Sequence, residues 1–219
     1  MKETLPGFPT EDLPVDFLPA FVHGFWSAEA SANAFHHFLQ TLDWRQDTLV
    51  LFGRRVLQPR LVAFHADEGV EYSYSGHTLP CANWTPLLCE LKERVEAQCE
   101  SRFNSVLCNL YRNGDDSMGW HSDDEKSLGP RPLIASVTLG ASRTFTLRRK
   151  DARARRFSFE LSHGSLLVMK DDCQAAWQHA IPKTRKNVGA RLNFTFRNVV
   201  TAKKSAGGSS LAPRERTRE

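Results

Sequence analysis

The chain has 219 residues, of which 41% are hydrophobic, enough to bury one sizeable core and the ordinary size of a single enzyme domain. No apolar run approaches the roughly 18 residues that a membrane helix needs, and the opening MKETLPGFPTEDLP lacks the apolar centre of a signal peptide. A monomeric, intracellular protein with no membrane partner is expected, cytoplasmic in a bacterium and nuclear in a eukaryote. The formal net charge of +4 suits a polyanionic partner, but so mild a balance is also common in proteins that never touch nucleic acid. Five cysteines without a CxxC pair read as free thiols in a reducing compartment.

The first helix is expected from Ser27, a good N-cap, with Phe35, Phe38, Leu39 and Leu42 on one face. A second opens at Thr85 with Pro86 in its first turn, carries Leu87, Leu88, Leu91 and Val95 on one stripe, and ends near Glu100. Beyond it, period two dominates. Leu133, Ala135, Val137 and Leu139 alternate with Ile134, Ser136 and Thr138, and Phe157, Phe159 and Leu161 alternate with Ser158, Glu160 and Ser162. Short strands between Gly-bearing turns favour a mainly β fold with flanking helices, a double-sheet jelly roll rather than a parallel α/β sheet. The expected organisation is an N-terminal extension (1–26), a catalytic domain (27–200) and a disordered basic tail (201–219).

His121 and Asp123 are one residue apart, so an extended segment points both to one side. With His179 they make two imidazoles and a carboxylate, a set that leaves three octahedral positions open for an oxygen-activating ferrous ion; a structural zinc site would close all four. An HxD pair alone is weak, because most such pairs are surface loop residues. The other six histidines (His23, His36, His37, His65, His77 and His163) read as turn or surface residues.

The stronger signal is Arg191–Arg197. Period two puts Arg191, Asn193, Thr195 and Arg197 on one face and Leu192, Phe194 and Phe196 on the other. Two arginines in a core surface are costly unless they hold an anion, and guanidinium forks match carboxylates, so a dicarboxylate is a natural guest. Asn109 and Tyr111 share a face on a nearby strand and add an amide and a phenol. The competing reading is an edge strand with its arginines in water.

In order along the chain, NLYRNGDDSMGWHSDDE, PLIASVTLGASRTF, HGSLLVM, WQHAIPK and RLNFTFR resemble the successive motifs of the AlkB family of alkylation-repair dioxygenases, and the pattern is most similar to duplex-acting members. The resemblance runs from about Phe52 to Arg197. It implies a double-stranded β-helix with Fe(II), 2-oxoglutarate and O2. His121, Asp123 and His179 would then be iron ligands, and Asn109, Tyr111, Arg191, Asn193 and Arg197 would hold 2-oxoglutarate, with Arg191 on the distal carboxylate. The implied reaction hydroxylates the N-methyl group of a lesion such as 1-methyladenine or 3-methylcytosine in DNA and releases formaldehyde, succinate and CO2.

The same resemblance puts Tyr72 and Tyr74 in the base pocket, Arg60 along the site and Phe52 where duplex-acting relatives carry an apolar finger; a core phenylalanine before a turn glycine is the alternative for Phe52. Asp124 and Glu125 follow the metal pair, and a carboxylate beside iron would favour cationic bases. In RRKDARARR, the basic residues Arg148, Arg149, Lys150, Arg153, Arg155 and Arg156 are expected in a hairpin loop able to grip DNA phosphates. Two alternatives stay open: a 2-oxoglutarate oxygenase acting on RNA, protein or a small molecule, and a catalytically silent nucleic-acid-binding module.

Overall fold

The structure, a computed structural model, describes residues 20–200 apart from 52, 72, 75, 76, 79 and 155; at 49–51, 73, 74, 77 and 78 it describes the backbone alone. Phe52, Tyr72, Arg155 and the tail 201–219 therefore lie outside the described residues, as does the Tyr74 side chain. In chain order the elements are β1 (Ala20–Val22), α1 (Ala28–Thr41), β2 (Thr48–Leu51), β3 (Arg54–Leu57), β4 (Leu61–Ala66), β5 (Ser73–Tyr74), β6 (His77–Thr78), β7 (Cys81–Ala82) and α2 (Pro86–Cys99). They continue with β8 (Ser105–Tyr111), β9 (Met118–His121), β10 (Ile134–Gly140), β11 (Arg143–Arg149), β12 (Arg156–Leu161), β13 (Ser165–Met169), α3 (Cys173–Ala176), β14 (Trp177–Ile181) and β15 (Arg191–Arg197).

Both long helices begin where the sequence places them. The Ser27 hydroxyl accepts from the Ala30 N–H at 3.3 Å, and Thr85 accepts from the Leu88 N–H at 3.3 Å, ahead of Pro86 in the first turn. On α2 the expected stripe is buried at Leu88, Leu91 and Val95. On α1 the face is rotated: Ser31, Ala34 and Phe38 are buried while Phe35 and Leu39 are only half-buried. The small side chains at 31 and 34 allow a close approach that brings the Phe38 ring to 4.7 Å from that of Phe194. α2 ends with Glu100 in the left-handed region (φ 49°), a usual stop signal.

The strands form a seven-stranded sheet in the order β1-β13-β10-β15-β8-β4-β7 and a four-stranded sheet in the order β12-β11-β14-β9. Pairing is antiparallel except between β4 and β7, the jelly-roll arrangement expected. One apolar cluster lies between the sheets and includes Val62, Leu107, Ile134, Phe145, Leu147 and Trp177. A second fills the space between the large sheet and α1 and α2, with Phe38, Leu88, Leu91, Val137, Phe194 and Phe196. Residues of β8, β13 and β15 are buried on both faces because the large sheet is covered on both, and each fully buried Leu or Phe contributes about 1.5–3 kcal/mol. β12 faces water on one side and keeps the Phe157/Ser158/Phe159/Glu160 alternation. Gly140 (φ 86°) closes β10, and a Cβ there would overlap the Ala190 carbonyl and the Phe35 ring.

Three expectations need correction. Residues 20–26 belong to the domain rather than to an extension: β1 pairs with β13, and Phe21 and Trp26 are buried in the two cores, because β13 would otherwise expose an edge. The basic run is not all loop, since Arg148 and Arg149 end β11 and Arg156 opens β12; the two strands continue their register to Arg148 opposite Arg156. His65 is neither a turn nor a surface residue: it is buried on β4, with Nδ1 2.7 Å from the Asn83 carbonyl.

Candidate metal and co-substrate site

The small sheet sets the two histidines of a candidate metal triad, and Asp123 follows just beyond the end of β9. His121 ends β9 and lies directly opposite His179 on β14, with ring centroids 4.1 Å apart. Asp123, two residues on, is buried, and the ligand atoms of His121, Asp123 and His179 all fall within 4.8 Å of one another. The Phe145 ring stacks on His179 at 5.3 Å and fixes its plane. His121 Nδ1 lies 2.9 Å from the Gly119 carbonyl, which leaves Nε2 for a metal.

Electrostatics agree with a ligating role. Burial pushes His179 down to about 3, with His121 adding to the effect, and burial likewise lowers His121; both are neutral and able to donate a lone pair at pH 7. Burial opposes ionisation of Asp123, but Arg197 and the two imidazoles outweigh it and hold the carboxyl at about 2. Arg197 Nη2 donates to Asp123 Oδ1 at 2.7 Å.

Beside the triad, β15 lies between β8 and β10, so its polar face meets theirs. Asn193 is opposite Asn109 on one side and Thr138 on the other, and Arg191 is opposite Tyr111 and Gly140. Asn109 Nδ2 donates to Asn193 Oδ1 (3.2 Å), Asn193 Nδ2 to Ser136 Oγ (2.7 Å) and Thr195 Oγ1 to Asn193 Oδ1 (3.0 Å). Arg60 joins this seam: its Nε donates to Asn109 Oδ1 at 2.8 Å, and Gln58, with its amide oriented to accept, takes its Nη2 at 2.6 Å.

Arg191 differs from this satisfied network. It is 1% exposed, and its Nη2 donates to Thr138 Oγ1 at 2.9 Å, but its Nε and Nη1 have no hydrogen-bond partner among the described residues. Burial lowers its guanidinium to about 10 despite the Tyr111 phenol beside it. A buried cation with two idle donors is what an incoming carboxylate would satisfy. Triad and arginine line one cavity, together with Arg60, Asn109, Tyr111, Asn193, Arg197 and an apolar wall of Leu107, Phe145, Leu161, Met169 and Ile181. The residues present thus fit both a three-ligand metal and a dicarboxylate.

The remaining candidates stand apart. Asp124 is exposed and paired with Lys150 at 3.0 Å, and neither it nor Glu125 lines the cavity. The carboxylate expected to favour cationic bases, Asp124, is turned toward Lys150 instead, and the carboxylate that lines the cavity is that of Asp123. The basic hairpin is partly self-neutralised. Arg149 makes a two-pronged pair with Asp151 (2.7 Å each), and Arg148 binds Gln178 Oε1 and lies 4.3 Å over the Trp120 ring. Arg153 and Arg156 are exposed.

Several residues of the site escaped the sequence reading. Ser136 and Thr138 sit at the inward positions of the β10 alternation, a pattern that could have flagged them. Arg143 is buried and ties the carbonyls of Asn113, Asp116 and Pro182 at 2.7–3.0 Å. It stacks on Tyr111 together with Arg191, the two guanidinium carbons being 5.7 and 5.2 Å from the ring centre. Gln174 accepts from the Asp123 N–H at 2.8 Å, and no local pattern announces it.

Comparison with known proteins agrees with this architecture. A family model described as the 2OG-Fe(II) oxygenase superfamily matches residues 19–197. The chain is 40% identical over 185 residues to human alpha-ketoglutarate-dependent dioxygenase alkB homolog 3, covering 80% of this chain and 64% of that protein, so it spans a little under two thirds of that relative's length. It is 36% identical over 190 residues to the mouse DNA oxidative demethylase ALKBH2, covering 82% and 79%. The solved structure of OsALKBH1 superposes with a TM-score of 0.57 at 16% identity, over 83% of this chain and all of that one, a likeness of fold. The family match over nearly the whole described chain, together with the relatives, places this chain in the AlkB family of 2-oxoglutarate–Fe(II) oxygenases.

Proposed function

We propose that the protein is an Fe(II)- and 2-oxoglutarate-dependent dioxygenase that demethylates alkylated bases in DNA, lesions of the 1-methyladenine and 3-methylcytosine type, releasing formaldehyde, succinate and CO2. The observation that carries this reading is the pair of idle buried donors on Arg191, in the same cavity as a His121–Asp123–His179 triad. A hydrolytic metal enzyme has no use for a buried arginine waiting for a dicarboxylate. Relatives named as alkB homolog 3 and as DNA oxidative demethylase support the substrate class.

His121, Asp123 and His179 would hold Fe(II), which with O2 and 2-oxoglutarate supplies the oxidant for the N-methyl C–H bond. The chain's own groups position. Arg191, steadied by Thr138, would hold the distal carboxylate, with Tyr111 beside it; Asn109, Asn193 and Arg197 would complete the polar wall. The apolar wall of Leu107, Leu161, Met169 and Ile181 keeps water from the reacting centre. Arg60, anchored to Asn109, would face the base; Tyr72 and Tyr74 would frame it, and Phe52 would fill the gap it leaves, while Asp124, paired with Lys150, and Glu125 lie outside the cavity lining. Arg148, Arg149, Lys150, Arg153, Arg155 and Arg156 would meet the DNA backbone.

The test is a panel of matched methylated single-stranded DNA, duplex DNA and RNA with iron and 2-oxoglutarate. Equal yields of formaldehyde and succinate from DNA are expected. Succinate formed without loss of methyl from any oligonucleotide would sink the assignment, and turnover confined to RNA would move the substrate. A preference for duplex that Phe52→Ala removes would place Phe52 at the flipped base.

A further inference from the structure

Two tethers hold the metal-bearing segment His121–Asp123, and both run to one short turn. The Asp123 N–H donates to Gln174 Oε1 at 2.8 Å, and the Ser122 hydroxyl donates to the Trp177 carbonyl at 2.8 Å. Gln174 lies in α3 and Trp177 opens β14, and the chain reaches His179 two residues later. Gln174 is 1% exposed, and its Nε2 faces sulfur, 3.6 Å from Met169 Sδ and 3.9 Å from Cys173 Sγ. Nitrogen toward two weak acceptors leaves the amide oxygen committed to Asp123.

The turn is itself braced from the other side. Lys150 Nζ donates to the Gln174 carbonyl at 2.8 Å and to Asp124 Oδ2 at 3.0 Å, and the Lys150 N–H donates to the Ala176 carbonyl at 2.9 Å. Lys150 thus bridges the turn and the segment just beyond Asp123. The Asp123 carboxylate is fixed at its tip by Arg197 and at its backbone by Gln174.

We propose that Gln174 is a positioning residue for the metal: through the Asp123 N–H, with Ser122 as the second tether, the α3 turn sets the distance of the Asp123 carboxylate from His121 and His179. This rests on the reading of those three residues as the iron ligands. Groups that hold metal ligands from behind change metal affinity by about 10- to 100-fold when removed, because an untethered ligand has to be ordered on binding. Gln174 touches neither cavity nor substrate, so its effect runs through Asp123.

The experiment titrates Mn(II), with free ion followed by electron paramagnetic resonance, into the wild type, Asp123→Ala, Gln174→Met and Ser122→Ala. Methionine keeps the volume and flexibility of glutamine and removes the acceptor. The Gln174→Met protein is expected to bind Mn(II) about 10- to 100-fold more weakly and to give an altered Co(II) visible spectrum, with the metal-free circular dichroism of the wild type. A merely structural role would move the melting temperature and leave metal affinity and spectrum alone. Wild-type affinity in Gln174→Met, with binding lost in Asp123→Ala, would overturn the proposal and spare the metal assignment. No stoichiometric Mn(II) binding by the wild type would overturn both. Should Gln174→Met not fold, Ser122→Ala decides: several-fold weaker binding supports the tethered turn, and unchanged binding rejects it.

Discussion

The two faces of β15 are equally buried and chemically opposite. Toward the helices, Leu192, Phe194 and Phe196 are each 0% exposed and pack on Phe38, Phe103 and their neighbours. Toward the small sheet, Arg191, Asn193, Thr195 and Arg197 are buried nearly as deeply. The first face stabilises the fold by removing apolar surface from water. The second costs stability where it is unsatisfied: the desolvated Arg191 guanidinium recovers little until something anionic arrives, whereas Arg197 is already paired with Asp123. Burial therefore does not distinguish core from site in this molecule; the distinction lies in whether the buried groups are satisfied by the chain itself.

The comparison breaks most visibly at Asp123. Asp123→Ala is expected to abolish Mn(II) binding and turnover, and it also leaves Arg197 buried without its anion, so urea denaturation should show a loss of about 3–5 kcal/mol. Asp123→Asn keeps an oxygen for Arg197 and is expected to lose binding with a smaller loss of stability. Equal stability in all three proteins would mean that Arg197 reaches solvent when its partner is removed. Phe194→Ala, on the opposite face, should cost about 3–5 kcal/mol and leave metal affinity in the folded fraction unchanged.

Arg191→Met sharpens the contrast by reversing it. Replacing an under-satisfied buried cation with an apolar side chain of similar length is expected to leave stability unchanged or raise it by about 1–4 kcal/mol. Binding of 2-oxoglutarate, measured by calorimetry with Mn(II) present, should weaken by about 30-fold or more. A destabilised Arg191→Met protein with normal 2-oxoglutarate affinity would return Arg191 to the core.

Acid should attack the same face. His179 is held near 3 in the fold against an ordinary 6.5, so the unfolded chain takes the proton first. Stability of the metal-free protein is whole above about pH 6.5 and declines as pH falls toward 3. His121, and His65 on the helix side, are lowered by burial and act in the same sense; Asp123, held near 2, adds a loss only below its ordinary 3.8. Urea midpoints should be flat from about pH 8 to 7 and fall between about 6.5 and 5, with His65→Gln keeping most of the slope. A slope removed by that substitution would shift the acid sensitivity to the helix side.

How far the sequence could be read follows the same divide. Helix starts at Ser27 and Thr85, the strand alternation and the two-faced β15 were legible because each depends on residues within a few positions of one another. The cavity depends on register. Asn109 meets Asn193 across 84 positions, Arg60 meets Asn109 across 49, and Gln174 reaches Asp123 across 51. No local pattern encodes those pairings, and Gln174 in particular sits in a four-residue turn with no periodicity to read. The basic run does form the β11–β12 hairpin, but its loop is shorter than charge suggests, because the pairing runs on to Arg148 opposite Arg156.

That hairpin offers the smallest and most discriminating effect. Arg149 is already matched to Asp151 and Lys150 to Asp124, so both have partners to give up before meeting a phosphate, whereas Arg153 and Arg156 are exposed, with Arg156 Nε on the Arg153 carbonyl. Removing one arginine that neutralises a phosphate should reduce the slope of log affinity against log salt by about one. Replacing Arg153 and Arg156 by Gln is therefore expected to flatten the slope by about two, and replacing Arg149 by Gln to change it by less than about one, with kcat on a methylated trinucleotide unaffected in both. The reverse ranking would show that Asp151 releases Arg149 on binding, making the ion pair a placeholder for phosphate.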